Sequence, residues 1–172
     1  MSEMTVSKGK RLLFGALAGQ TIQYGAQGTT EQLEAVDNAW RLGGGGGNLV
    51  VNYLLTGDNK LILGNAHTKG VVTLANSGNN FTGGIDFMGT GVTLDYTSEE
   101  AIRNISLNLS YGNRVAMSDL LSNITGDSNG ILLQRKADQD LNMTAHQSLF
   151  LGSDGNLNYT GKLQLAEGQD YR

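Results

Sequence analysis

The acids and the two histidines are the residues of this chain most able to do chemistry. Asp86 and Asp95 lie in neighbouring predicted strands, where two carboxylates could act as acid and base on a glycosidic bond. His67 and His146 have no ligand or catalytic partner at a telling spacing. Asp127 begins half of a calcium loop that lacks its closing acid. Solvated strand faces and Asx turns explain these residues better, so no catalytic residue, metal site or cofactor is predicted.

A run of five glycines at residues 43–47 could be offered as a phosphate cradle. No Lys-Ser/Thr pair follows the run and no helical pattern begins after it, although both are parts of a phosphate-binding loop. We predict instead a corner at which two backbones approach so closely that a Cβ would clash.

Three tyrosines beside predicted turns could stack on a sugar ring. These tentative ligand contacts are Tyr53, Tyr96 and Tyr111. Core burial or strand capping is the competing explanation, because aromatic residues make up only 6% of the chain and a thin core needs them.

Composition restricts the class of protein. The chain has 172 residues, no Cys, and a net charge of −4. The absence of Cys excludes disulfides and thiolate metal sites, and the acidic balance argues against nucleic-acid binding. No run approaches the ~20 apolar residues of a membrane-spanning helix. Hydrophobic residues at 39% supply enough material for a thin, elongated core.

Residues 71–96 are the most informative segment. Apolar side chains recur at every second position, first in residues 72–74, then in residues 85–87 and 92–96. This period of two is typical of strands, and clusters of Asn and Gly separate them. The segment therefore predicts one coil of a β-solenoid. The motif residues are Asn79, Asn80, Phe81, Thr82, Gly83, Gly84, Gly89 and Gly91.

The sequence motif N-x-F-T-G-G at residues 79–84 is followed by a Gly-rich strand. This arrangement resembles the autotransporter-associated β-strand repeat of proteins exported to bacterial surfaces. The resemblance covers about 26 residues closely, residues 71–96, and the looser strand rhythm of the chain beyond them. It departs from the repeat at residues 85–88, which stand where a Thr-Leu strand would follow. The resemblance implies a passenger-type scaffold exported from the cell.

The rest of the chain shows the same period, with turn signals at short intervals. Sandwich and solenoid both fit this pattern, and the repetition together with the resemblance favours the solenoid. We predict an all-β, right-handed parallel β-helix of roughly eight coils at ~20 residues per coil. Residues 97–103 and 31–39 break the pattern and predict short helical or loop excursions.

The two ends of the chain read as copies of one unit, residues 3–41 and 142–172. Leu13-Phe14 matches Leu149-Phe150, Tyr24 matches Tyr159, and Trp40-Arg41 matches Tyr171-Arg172. Residues 1–172 are therefore predicted to be a single solenoid segment, excised from a longer repeat array.

Two functions are open at this stage. The first is a non-enzymatic stalk or adhesin scaffold of a cell-surface, outer-membrane-associated or secreted bacterial protein, with neighbouring repeats, host glycans or surface proteins as partners and without membrane insertion. The alternative is a β-solenoid that binds or cleaves a polysaccharide. Acids and aromatic residues aligned over successive coils would favour the alternative, and a face of Thr, Asn and Ser would favour the stalk.

Overall fold

The computed structural model describes residues 12–102, 105, 107–108, 113–115, 130–133, 140–145, 150–153, 158–165 and 167. Nearly all regular structure in these residues is β. The strands are β1 (Thr21–Tyr24), β2 (Ala39–Leu42), β3 (Asn48–Val51), β4 (Lys60–Leu63), β5 (Gly70–Leu74), β6 (Ile85–Phe87), β7 (Val92–Tyr96), β8 (Leu107–Asn108), β9 (Asn113–Val115), β10 (Gly130–Leu133), β11 (Leu141–Asn142), β12 (Phe150–Ser153) and β13 (Leu163–Gln164).

From β1 to β9 the chain alternates between two parallel sheets. One has seven strands in the order β1-β3-β5-β7-β9-β10-β12, and the other has four in the order β2-β4-β6-β8. A further pair joins β11 to β13. Parallel strands need a crossover connection, and between β1 and β9 each crossover contains a strand of the four-stranded sheet. The result is a β-solenoid of about four turns through both sheets, which confirms the predicted architecture; the number of coils and the hand remain predictions.

Alternating side chains build the core between the sheets. Leu49, Val72 and Leu94 are register partners in β3, β5 and β7, and all three are fully buried. Leu61 and Ile85 form the matching column in β4 and β6. Successive side chains of a strand point to opposite faces of the sheet. Every second residue of these strands therefore lies in the core. The strands predicted within residues 71–96 are present as β5, β6 and β7.

The two segments predicted to interrupt the strands, residues 97–103 and 31–39, are irregular in the structure, and their conformations differ from each other. A single 3-10 turn occupies Glu99–Ala101. Residues 31–38 form a loop without helix, in which Asp37 and Asn38 adopt positive φ values of 51° and 54°. Left-handed conformations of this kind suit a turn into a strand, and β2 begins at the next residue.

The proposed copies at the two ends occupy different structural positions where they can be compared. Phe14 forms a parallel bridge with Leu42 of the four-stranded sheet, whereas Phe150 opens β12 of the seven-stranded sheet. Tyr24 ends β1, and Tyr159 lies outside the strands. Residues 171–172 lie outside the described residues. The internal repeat therefore stays a prediction from sequence.

None of the helical segments in the described part of the chain combines the length and the hydrophobicity that crossing a bilayer requires.

Candidate functional site

The N-x-F-T-G-G motif lies in the turn that connects β5 to β6, and its first Asn joins three coils. Asn79 is buried, and its Oδ1 accepts a hydrogen bond of 3.0 Å from the backbone N–H of Leu55. Its Nδ2 donates to the carbonyl of Ala101 at 3.1 Å. These partners are 24 residues before and 22 residues after Asn79. One amide therefore satisfies backbone groups in the coil below and in the coil above.

Asn80 and Phe81 point in opposite directions. Asn80 is exposed, and only its backbone N–H bonds across coils, to the carbonyl of Leu55 at 3.0 Å. Phe81 is fully buried and packs edge-on against Trp40 at a centroid distance of 5.4 Å. The Trp40 indole N–H donates to the carbonyl of Leu33 at 2.9 Å. Phe81 thus anchors the turn in the core, as its place between two polar residues suggests.

The Thr-Gly-Gly step lies directly on the preceding turn. The Thr82 N–H donates to the carbonyl of Gly57 at 2.8 Å, and the Gly83 N–H donates to that of Asn59 at 3.1 Å. A Cβ on Gly83 would collide with the carbonyl oxygen of Asn59. Gly84 has φ of +77°, a left-handed conformation that favours glycine. Both glycines are therefore required by geometry at this point of the coil.

Two further asparagines work like Asn79 on the same side of the solenoid. Asn76 Nδ2 donates to the carbonyls of Asn52 and Thr29 at 2.8 and 2.9 Å. Asn52 is buried, and its Nδ2 donates to Gln23 Oε1 and to the carbonyl of Gly25, each at 2.9 Å. We call the turns at residues 52–59 and 75–84 the asparagine corner. The sequence analysis missed Asn52, although its position directly after β3 is a signal that could have identified it.

On the opposite side of the solenoid, glycines occupy the points where neighbouring coils touch. These turns, residues 43–47, 64–69 and 88–91, are called the glycine corner. A Cβ on Gly89 would collide with the carbonyl oxygen of Asn65, and one on Gly91 with that of Thr68. A Cβ on Gly47 would collide with the carbonyl oxygen of Leu17. This close backbone approach agrees with the prediction for the glycine run.

Tyr53 belongs to an aromatic cluster near the first described coil. Its ring lies edge-on to Tyr24 at 5.1 Å, and Tyr24 is 4.6 Å from Phe14. Burial raises the pKa of the Tyr24 hydroxyl, and the nearby Tyr53 raises this pKa further. Tyr96 is buried in the core, and Tyr111 lies outside the described residues. Of the three tyrosines considered for sugar contact, the structure gives Tyr53 a half-buried ring beside a second aromatic residue; the contact itself stays a prediction.

The candidate carboxylates do not meet. Asp86 lies in β6 and pairs with Lys60 Nζ at 2.8 Å, whereas Asp95 lies in β7 of the other sheet. Asp95 Oδ1 accepts a hydrogen bond from the N–H of Tyr96 at 2.8 Å. His67 is exposed in a turn, and His146 lies outside the described residues. Within the described ranges, no cluster of three or more His, Cys, Asp or Glu residues could hold a metal ion.

Comparisons of the chain with protein-family models, with curated proteins and with solved structures found no match.

Proposed function

We propose that this chain is a structural β-solenoid segment, a stalk or adhesin scaffold that holds other parts of a bacterial surface or secreted protein at a distance. The observation that carries the proposal is the stacking of the described coils over one core. Trp40, Leu61 and Ile85 are register partners in β2, β4 and β6, which belong to successive coils, and all three are members of a single buried cluster. A scaffold of this kind needs neighbouring repeats as its partners, because its end coils would otherwise present unpaired strands.

Rigidity is the property that a spacer requires, and three kinds of contact supply it here. Backbone ladders join every neighbouring pair of coils in the seven-stranded sheet. The asparagine corner adds side-chain hydrogen bonds between coils. Because Asn79 bonds to the coil below and to the coil above, displacing one coil relative to its neighbours would break at least one of these bonds. The glycine corner brings backbones together where a side chain would separate them. Bending the rod requires all three contacts to deform.

The finer features of this proposal come from the pattern of strands. Each coil contributes one strand to the seven-stranded sheet, and the parallel bridge of Phe14 with Leu42 adds part of a coil before β1, which supports a total of roughly eight coils. Parallel strands joined by a crossover are almost always connected in the right-handed sense, which supports a right-handed winding. The likeness of residues 79–84 to the autotransporter-associated repeat supports export to the cell surface or beyond it.

Small-angle X-ray scattering together with glycan-binding assays tests the stalk. At ~4.8 Å per coil, eight coils form a rod about 40 Å long, and four coils one about half that length. The stalk predicts an elongated particle that binds no glycan on an array and releases no reducing ends from polysaccharides. A compact particle, or release of reducing ends, would contradict it.

One observation supports the alternative, a carbohydrate-binding surface. The Tyr24 and Tyr53 rings lie 5.1 Å apart, and each directly follows in the sequence an amide residue, Gln23 or Asn52, whose side chains are bonded to each other at 2.9 Å. Aromatic faces with nearby amides are groups that recognise sugars. Binding to a glycan array that Tyr53→Ala removes and Tyr159→Ala retains would favour this function over the stalk.

A further inference from the structure

Six asparagines of this chain lie two residues before a serine or threonine, the spacing at which N-linked glycans are attached. They are Asn80, Asn104, Asn108, Asn123, Asn142 and Asn158. The alternation of polar and apolar residues in a strand can produce the same spacing without any sugar. The structure describes the exposure of Asn80, Asn142 and Asn158, and their surroundings decide between the two explanations.

Asn80 lies in the turn between β5 and β6, outside the strands, so strand alternation does not account for it. Its backbone N–H donates to the carbonyl of Leu55 at 3.0 Å, and the N–H of Thr82 donates to that of Gly57 at 2.8 Å. These bonds hold the segment extended against the coil below, so the side chains of Asn80 and Thr82 lie on one face. Both residues are exposed, and Phe81 between them is fully buried.

The neighbouring Asn79 has none of these properties. Its amide is buried and bonded to Leu55 and Ala101, and no hydroxyl lies two residues after it. The Asn80 side chain, by contrast, makes no hydrogen bond to another residue in the part of the chain that the structure describes. Its Nδ2 is therefore available for reaction at no cost to the contacts between coils.

The surface beside Asn80 leaves room for a sugar. Ser77 and Gly78 in the same turn are exposed, and so are Gly57 and Asp58 in the turn of the coil below. None of these four residues has a large side chain. A glycan at this position would extend into solvent without displacing a neighbouring coil.

The two other described sites have the same arrangement. Asn142 and Asn158 are exposed, and the residues that follow them, Met143 and Tyr159, are buried and half-buried. At the first of these sites the hydroxyl of Thr144 donates to Asn142 Oδ1 at 2.7 Å. The hydroxyl two residues later thus reaches the acceptor amide. A hydrogen bond to Oδ1 draws electrons from the carbonyl and makes a proton of Nδ2 easier to remove.

We infer that Asn80 is an acceptor of an N-linked glycan, with Asn142 and Asn158 as further acceptors. Nδ2 attacks the anomeric carbon of an activated sugar, the bond from that carbon to a phosphate oxygen breaks, and the diphosphate leaves. Nδ2 loses one proton to a base of the transferase, and nothing is oxidised or reduced. The donor is a sugar diphosphate, carried on a lipid or on a nucleotide, and the partner is a separate glycosyl-transferring enzyme. This inference goes beyond the scaffold function and does not depend on it.

Mass spectrometry of the full chain, isolated from the cells that produce it, tests the inference. Trypsin cuts after Lys69 and Arg103, and the peptide of residues 70–103 contains Asn80 as its single Asn-x-Ser/Thr site. We expect this peptide to carry the added mass of sugar, which electron-transfer fragmentation locates on Asn80. An unmodified peptide would overturn the inference, and so would sugar on Asn79 or on a hydroxyl group.

Variants of the full chain separate the modification from the fold. Asn80→Gln removes the acceptor, and Thr82→Ala removes the hydroxyl while Asn80 remains; each should lower the occupancy of the site at least tenfold. Thr82→Ser is the matched control, because it keeps the hydroxyl, and it should keep most of the glycan. Both positions are exposed, so urea denaturation should show all three variants folded as the native chain is. A glycan retained in Thr82→Ala, or lost in Thr82→Ser, would contradict the assignment.

The two classes of donor are separated with the purified, unmodified full chain. One sample receives membranes that contain an oligosaccharyltransferase and a lipid-diphosphate-linked oligosaccharide. A second sample receives a soluble N-glycosyltransferase and a nucleotide-diphosphate sugar. Transfer to Asn80 in either sample supports the inference and identifies the donor, and transfer in neither would overturn it. A chain without glycan that scatters as an elongated rod would leave the scaffold function intact, whereas a compact glycosylated particle would contradict the scaffold alone.

Discussion

The asparagine corner and the glycine corner join the same coils by opposite means. At the asparagine corner, side-chain amides extend across the gap between coils and bond to backbone groups, as Asn79 does with Leu55 and Ala101. At the glycine corner there is no gap, because Gly47, Gly89 and Gly91 let the backbones touch. The asparagines of the first corner act through hydrogen bonds, and the glycines of the second act through excluded volume. Substituting an asparagine should therefore have a graded effect, and substituting a close-contact glycine a severe one.

The largest effect is expected from Gly47→Ala. The added Cβ would overlap the carbonyl oxygen of Leu17, a backbone atom that cannot rotate away. We expect a loss of about 3 kcal/mol or more in the free energy of unfolding, measured by urea denaturation. Gly44→Ala in the same glycine run is the control, because its Cβ would have no neighbour closer than 3.7 Å. A similar loss in both variants would refute the close-contact explanation.

The second-largest loss of stability is expected at Gly84, which has a left-handed conformation just before β6. Gly84→Val forces a β-branched residue to φ of +77°, and we expect a loss of about 2–3 kcal/mol. Asp86→Asn is the comparison. It weakens the ion pair with the half-exposed Lys60, and pairs of this kind contribute up to about 1 kcal/mol. Equal shifts in melting temperature for the two variants would contradict the coil assignment.

Asn79→Ala tests directly whether the side-chain amide of Asn79 holds neighbouring coils together. It leaves the buried N–H of Leu55 and the carbonyl of Ala101 without partners, which should cost about 2 kcal/mol in chemical denaturation. Asn80→Ala changes the neighbouring, exposed residue and should remain within about 0.5 kcal/mol of the native protein. If Asn80→Ala were the more harmful change, the amide of Asn79 would not be what joins the coils.

The smallest effect concerns alkaline pH and the aromatic cluster beside the asparagine corner. The pKa of Tyr24 is raised above its ordinary value of 10.0, so the folded state holds this proton more tightly than the unfolded state does. Stability should therefore fall as pH rises above 10. Tyr24→Phe should reduce this loss and leave stability at pH 7 nearly unchanged, as followed by thermal melting. An undiminished alkaline loss would show that Tyr24 does not contribute to it.

Much of the fold follows from the sequence because its signals are local. The alternation of Val72, Leu74 and Leu94 with polar residues is a property of neighbouring positions, and the predicted strands appear as β5 and β7. Phe81 was recognised only as a motif residue, and its complete burial is a finding of the structure. Asn52 could not be recognised in this way, because its partners Gln23 and Gly25 lie 29 and 27 residues earlier in the chain. Loops of unequal length separate such partners, so no fixed spacing identifies them.

The sequence by itself determined the strands of residues 71–96, the residues there that face the core and the places where glycine is needed, but it did not predict β2. A strand period of two and the conformational freedom of glycine are local properties, and they act before any coil is stacked. Only the tertiary structure decided that Asp86 and Asp95 lie on different sheets, that Asn79 rather than Asn80 joins the coils, and that Ile22 remains uncovered while Leu49 is buried. These outcomes depend on how the coils stack on one another. Stacking brings together residues that are far apart in the chain, and the local sequence pattern carries no information about such contacts.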